Sequence, residues 1–289
     1  MSILVSGATG TIGSLIIRGL ASAGAEVTAL VRTPGKVSFP DGVTELVGDL
    51  TDVPSMRAAL SSARTLFLLN AVTPDEVTQA LIALNLAREA GIERVVYLSV
   101  IHADRFTNVP HFTGKHTVER MIESFGIPTT ILRPAYFMQN DFMVQKTIQE
   151  YGVYPMPIGS AGVCMIDARD IAEIAVAELL RRDRDPAALG TITLDLVGPQ
   201  ALTGAAVAQV WSTALGREVA YAGDDVEAFE VQMATFGPSW LAYDMRLMMA
   251  GIQTYGMQAD EGTVARLEAI LQHPLRTYEN FVREATAEA

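Results

Sequence analysis

Two groups of residues in this chain have the types and spacing to do chemistry. The first is Gly7-Ala8-Thr9-Gly10-Thr11-Ile12-Gly13, set directly after the apolar run Ile3-Leu4-Val5-Ser6. The pattern predicts a strand, a tight turn and a helix. Gly7 allows the turn, Gly10 lets the backbone approach a pyrophosphate, and Gly13 lets the helix pack close to the strand. N–H groups at the helix start, around Thr11 and Ile12, then face the phosphates. Such a triplet is informative only in a strand-turn-helix setting, and this one has it. The second group is His111 and Lys115, one helical turn apart. The helical neighbours of Lys115 include Val118, Glu119 and Ile122, so its side chain is expected to point inward. An inward ammonium needs a partner, and a nicotinamide-side ribose is the partner expected. The alternative is a buried stem with its amine reaching solvent. A histidine titrates near neutrality and can act as a general acid.

Other candidates sit at predicted strand ends. Arg32 ends the second strand, where a dinucleotide fold meets the adenosine ribose. A cation there favours a 2′-phosphate and hence NADP, whereas a carboxylate would favour NAD. Lys36 is close enough to assist. Asn70-Ala71 follows the fourth strand, where the chain must pass the cofactor's ribose. Tyr136, with Phe137 and Met138, follows the sixth strand and is expected to meet the nicotinamide or a substrate, or else to pack in the core. Trp240, Tyr243, Met245, Met248, Met249 and Tyr255 could line an adaptable apolar pocket, or form core or a dimer interface. His102, His116 and His273 lack metal-ligand spacing, and no metal site is expected.

The elements that must position these residues alternate. Strands are predicted at 27–31, 44–47, 65–69, 94–98 and 129–132, after the first one. Helices are predicted at about 11–22, 53–61, 74–90 and 113–125, with His111 in the loop before the last. This rhythm predicts an α/β fold: a doubly wound parallel sheet, with a smaller, mainly helical C-terminal cap or substrate region. The expected division is 1–150 for the dinucleotide-binding domain and 151–289 for the cap, with 163–196 returning to the main domain. A helix over 137–150, a helix over 167–181 and a strand over 192–196 are part of that reading.

Bulk composition narrows the partners. The chain has 289 residues, 49% of them hydrophobic, and a net charge of −12. That balance, without a long basic run, argues against nucleic acid and anionic membranes. No stretch is long and apolar enough to cross a bilayer. Cys164 is the single cysteine, which suits a reducing cytoplasm. The chain opens on a strand rather than a signal segment.

Three segments together resemble one family. They are the glycine run with Val31-Arg32, then Val109-Pro110-His111-Phe112-Thr113-Gly114-Lys115, then Thr130-Ile131-Leu132-Arg133-Pro134-Ala135-Tyr136-Phe137-Met138-Gln139-Asn140. The chain is similar to the NmrA-like branch of the atypical short-chain dehydrogenases/reductases over roughly residues 1–200. The resemblance implies a Rossmann fold and an NADP(H) cofactor. It implies that Asp49-Leu50 borders the adenine, and that Ser99 stands where the superfamily often places a catalytic Ser or Thr. Ordinary members carry Tyr four residues before the Lys, and here that position is His111. The change puts ordinary alcohol dehydrogenation, and sugar-nucleotide epimerisation, in doubt.

The resulting expectation is an NADP(H)-dependent reductase of a small, apolar, electron-poor acceptor such as a quinone, an enone or a dye. Lys115 would hold the ribose, and His111 or water would complete protonation. The alternative is a non-catalytic NADP(H) sensor that binds a partner. A homodimer is compatible with either.

Overall fold

The computed structural model describes residues 2–184 and 190–287. Its elements run β1 (Ser2–Val5), α1 (Thr11–Ser22), β2 (Glu26–Val31), β3 (Val43–Val47), α2 (Val53–Leu60), β4 (Thr65–Leu68), α3 (Glu76–Glu89), β5 (Arg94–Leu98), α4 (Pro110–Phe125) and β6 (Thr129–Pro134). After a 3₁₀ turn at Met138–Met143 come α5 (Gln145–Tyr151), β7 (Val153–Tyr154), α6 (Ala168–Arg184) and β8 (Ile192–Leu196). The remainder is α7 (Gly204–Leu215), β9 (Ala220–Tyr221), α8 (Val226–Met233), α9 (Ser239–Tyr255), α10 (Thr263–Leu271) and α11 (Tyr278–Ala287).

Seven strands form one sheet in the order β3-β2-β1-β4-β5-β6-β8. The pairings from β3 through β6 are parallel. Strands β1, β4 and β5 are buried along their whole length, whereas edge strand β3 is partly exposed. Continuous apolar strands belong in the middle of a parallel sheet, because helices cover both faces there. The order reverses at β1, which lies between β2 and β4. Ligands of open α/β sheets bind at such a reversal.

The chain divides into two units. The first comprises Met1–Val100, Gly114–Arg133 and Arg169–Leu194; the second comprises Ile101–Thr113, Pro134–Ala168 and Asp195–Ala289. The second unit takes up the chain at Pro134, not at 151, because β6 ends there and the following 3₁₀ turn packs with the second unit's helices. It also takes in Ile101–Thr113. Helix α4 starts at Pro110, three residues before the expected start, so His111 lies in a helical first turn. Proline suits that position because a first-turn N–H has no intrahelical partner to lose.

Candidate functional site

The first unit carries a cleft of about 310 Å³ at the exits of β1, β2 and β4. Its floor is backbone. Gly7 has φ +64°, the left-handed turn that glycine adopts freely. At Gly13 a Cβ would stand 2.2 Å from the Gly7 carbonyl oxygen, so only glycine lets α1 lie this close to the turn. At Gly10 the nearest atom to a Cβ would be that same oxygen at 3.4 Å, and the position otherwise faces open space. The three expected glycine roles are thus geometrically distinct. Helix α1 has no side-chain cap and no acidic residue in its first turn. Its first N–H groups, at Thr11, Ile12 and Gly13, are therefore available to an anion.

The cleft wall brings together Gly7, Thr9, Gly10, Arg32, Asp49, Leu50, Asn70 and Ala71, as the sequence predicts. Lys36 lies exposed and outside the lining. Asp49 accepts from the Thr51 N–H at 2.8 Å and the Thr51 hydroxyl at 2.6 Å. Those two bonds hold its carboxyl below the usual range, with Arg32 assisting. Asp52, by contrast, caps α2 through Ser55 N–H at 3.1 Å. Asn70 is 4% exposed, and its Oδ1 has no hydrogen-bond partner. A buried amide oxygen in that state suits a ligand hydroxyl. Open space over Gly10, free helix N–H groups and an orphaned Asn70 oxygen fit a dinucleotide. Sequence reasoning missed Ser6, which ties the β1 exit to the β4 exit by accepting from Leu69 N–H at 2.8 Å. It also missed Thr73 and Gln79 in the wall.

Lys115 points inward, as expected, and its partner is a protein group. Its Nζ donates to Glu76 Oε1 at 2.6 Å, with both side chains less than a tenth exposed. The ammonium also lies 6.0 Å from the centroid of the Tyr97 ring. Glu76 stands in the first turn of α3. Ser99 donates to Glu119 Oε1 at 2.5 Å, and Arg133 grips the same carboxylate at 2.9 and 2.6 Å. Glu119 is fully buried, so this cluster neutralises a carboxylate that would otherwise be costly.

In the second unit His111 Nδ1 lies 2.6 Å from Asp244 Oδ1, and its backbone N–H donates to Asp244 Oδ2 at 3.3 Å. The same unit encloses a separate cavity of about 510 Å³. Six methionines line it (Met143, Met156, Met233, Met245, Met248 and Met249), together with Phe229, Phe236 and Tyr136. The three methionines expected from α9 are there. Trp240, Tyr243 and Tyr255 are not: Tyr243 holds the Arg246 guanidinium at 4.9 Å, and Tyr255 packs on Phe106 at 5.7 Å. Phe137 and Met138 also lie outside the lining. Among the described residues no group of three His, Cys, Asp or Glu side chains is placed to hold a metal. No helix there is long and apolar enough to cross a membrane.

A model of the NmrA-like family matches residues 1–269. The chain is 32% identical over 293 residues to an NAD(P)H azoreductase of Xenophilus azovorans, covering 99% of this chain and 98% of that protein. It is 27% identical over 282 residues to Quinone oxidoreductase 2 of Escherichia coli (strain K12), covering 95% of each. Among solved structures, the Citrobacter sp. triphenylmethane reductase complexed with NADP(H) superposes with a TM-score of 0.85 at 23% identity, covering 98% of this chain and 99% of that one. At that identity the likeness is one of fold.

Proposed function

The chain belongs to the NmrA-like family, and from that premise we propose that it is an NADP(H)-dependent oxidoreductase that reduces small, apolar, electron-poor acceptors such as quinones, enones and azo or related dyes. The observation that carries this reading is the glycine cradle, with Gly10 facing open space beneath an uncapped helix start. The methionine- and aromatic-lined cavity of the second unit supplies an acceptor site of suitable size and polarity.

The cofactor, when bound, supplies a hydride. The protein binds and orients it. Backbone N–H groups of α1 hold the pyrophosphate, Arg32 pairs with a 2′-phosphate, and Asn70 Oδ1 accepts from a ribose hydroxyl. Asp49 and Leu50 border the adenine. Lys115 has three N–H donors and uses one on Glu76, leaving two for the nicotinamide-side ribose. Glu76 fixes the ammonium while the cofactor is away. Ser99 braces β5 against α4 through Glu119 and takes no proton-transfer role in this reading. His111 is fixed by Asp244 and does not line the acceptor cavity, so its role here is to anchor the start of α4. The sensor alternative has no use for a large apolar cavity, and the cavity favours the enzyme. The chemistry suits a cytoplasmic protein.

The test is loss of NADPH absorbance against a panel of quinones, enones and azo dyes. Turnover with at least one class is expected, with NADPH preferred over NADH. If no acceptor oxidises NADPH above background, the reductase reading falls.

A further inference from the structure

Asp141 is a fully buried carboxyl in the 3₁₀ turn that follows Tyr136. Among the described residues no cation acts on it; three phenols do: Tyr278, Tyr154 and Tyr136. Tyr278 donates to Oδ2, and the Tyr154 hydroxyl lies 3.4 Å from Oδ1. Trp211 Nε1 donates to the Tyr278 hydroxyl at 2.9 Å, closing that side of the cluster. Tyr136 differs from the other two. Its hydroxyl is buried and has no partner at hydrogen-bonding geometry among the described residues, while Asp141 and Asn140 stand close enough to act on it. Tyr136 and Asn140 also line the methionine cavity. A buried phenol with an unspent proton, at the wall of an apolar cavity and next to a carboxyl, is arranged to donate to something in that cavity.

We propose that Tyr136 is the catalytic proton donor to the acceptor, and that Asp141 behind it is the positioning residue that resupplies its proton. This rests on the reductase reading above. The hydride adds to the electron-poor end of the acceptor's conjugated system. The π bond opens, and its electron pair settles on a terminal oxygen or nitrogen. That atom forms a bond to the Tyr136 proton as the Tyr136 O–H bond breaks. The Asp141 acid proton passes to the phenolic oxygen in the same step, leaving a carboxylate that regains a proton from water. Both transfers must be concerted, because burial pushes the Tyr136 phenol well above its ordinary range and a free phenolate is disfavoured. Burial likewise raises the Asp141 carboxyl from 3.8 to about 7, against the pull of the three phenols, so it can hold a proton near neutrality.

The experiment compares the unmodified chain with Tyr136→Phe and Asp141→Asn. NADPH oxidation with a quinone is followed across pH, alongside binding of a hydroxyquinone without cofactor, where no hydride donor is present to reduce it. Tyr136→Phe should keep its thermal transition and its NADPH affinity. It should lose roughly 10²–10⁴-fold in kcat, and bind the hydroxyquinone about five- to tenfold more weakly, with KM for the quinone rising alongside. In the unmodified chain kcat should fall as pH rises through about 7. A carboxylic-acid C=O stretch should titrate in infrared difference spectra over the same range, and Asp141→Asn should remove both. A Tyr136→Phe variant with unchanged kcat and unchanged hydroxyquinone affinity overturns the donor assignment while leaving the reductase standing. An Asp141→Asn variant that keeps the pH profile overturns the role of Asp141. If the unmodified chain oxidises NADPH above background with none of the acceptors, the reductase reading and this inference fail together.

Discussion

The cleft of the first unit and the cavity of the second are built from different materials. The cleft is shaped by main-chain atoms: glycine turns, helix N–H groups and strand exits. The cavity is shaped by side chains, six of them flexible methionines, beside one buried polar cluster. A backbone cradle fits one invariant ligand part, such as a pyrophosphate. A methionine wall adapts to acceptors of several shapes. The difference teaches that the first unit's cleft is rigid and local, whereas the second unit's cavity is plastic and distributed.

The sharpest way to break that contrast is within the glycine run. Gly10→Val should abolish dinucleotide binding while preserving the fold, since its φ of −83° suits a β-branched residue and its Cβ meets nothing closer than 3.4 Å. Gly13→Val should instead cost about 3 kcal/mol or more in stability, because it drives a side chain into the Gly7 carbonyl. Cofactor titration and thermal unfolding of the pair separate the two roles. Equal behaviour of the two variants would dissolve the distinction between ligand space and packing space.

Lys115→Ala comes next. It strands the Glu76 carboxylate in a buried site, and unfolding in denaturant should show a loss of about 3–5 kcal/mol. Adding Glu76→Ala should restore much of that stability without restoring turnover. A double variant with full turnover would remove Lys115 from cofactor positioning.

The second unit's polar cluster gives a pH test. Asp141 has a raised carboxyl, so the folded state binds its proton more tightly than the unfolded chain does. Stability from this group is therefore greatest below the unfolded value near ~4 and declines as pH rises toward about 7. Asp141→Asn should flatten that slope, by up to a few kcal/mol across the window. Denaturant midpoints at stepped pH measure it.

Arg32→Ala should narrow the preference for NADPH over NADH by about tenfold to a hundredfold, read from the two affinities. Equal affinities in the unmodified chain would refute the assignment. The smallest effect is expected at Met245→Leu. Stability should change by less than about 1.5 kcal/mol. The ratio of kcat/KM between a small and a bulky quinone should shift, while cofactor affinity stays put. A loss of cofactor affinity there would blur the contrast between the two regions.

The sequence by itself determined the parts made from contiguous chain. The glycine run, the buried strands, the cation at Arg32 and the inward face of Lys115 all follow from short-range pattern, because turns, helix starts and strand alternation are local consequences of residue type. The family followed from three such segments. Only the tertiary structure decided which distant side chains meet. Glu76 reaches Lys115 across 39 residues, His111 reaches Asp244 across 133, and Tyr278 reaches Asp141 across 137. None of these pairs has a periodicity to betray it, since carboxylates at such separations are ordinarily read as solvated surface. Lys115 shows the limit well. Its inward direction was legible from Val118 and Ile122, but its partner was not, because helical spacing fixes a face and says nothing about what is packed against it. The methionine cavity shows the same limit. Its α9 methionines were visible as a stripe, yet their partners from the 3₁₀ turn, α5 and α8 are assembled only when the second unit folds.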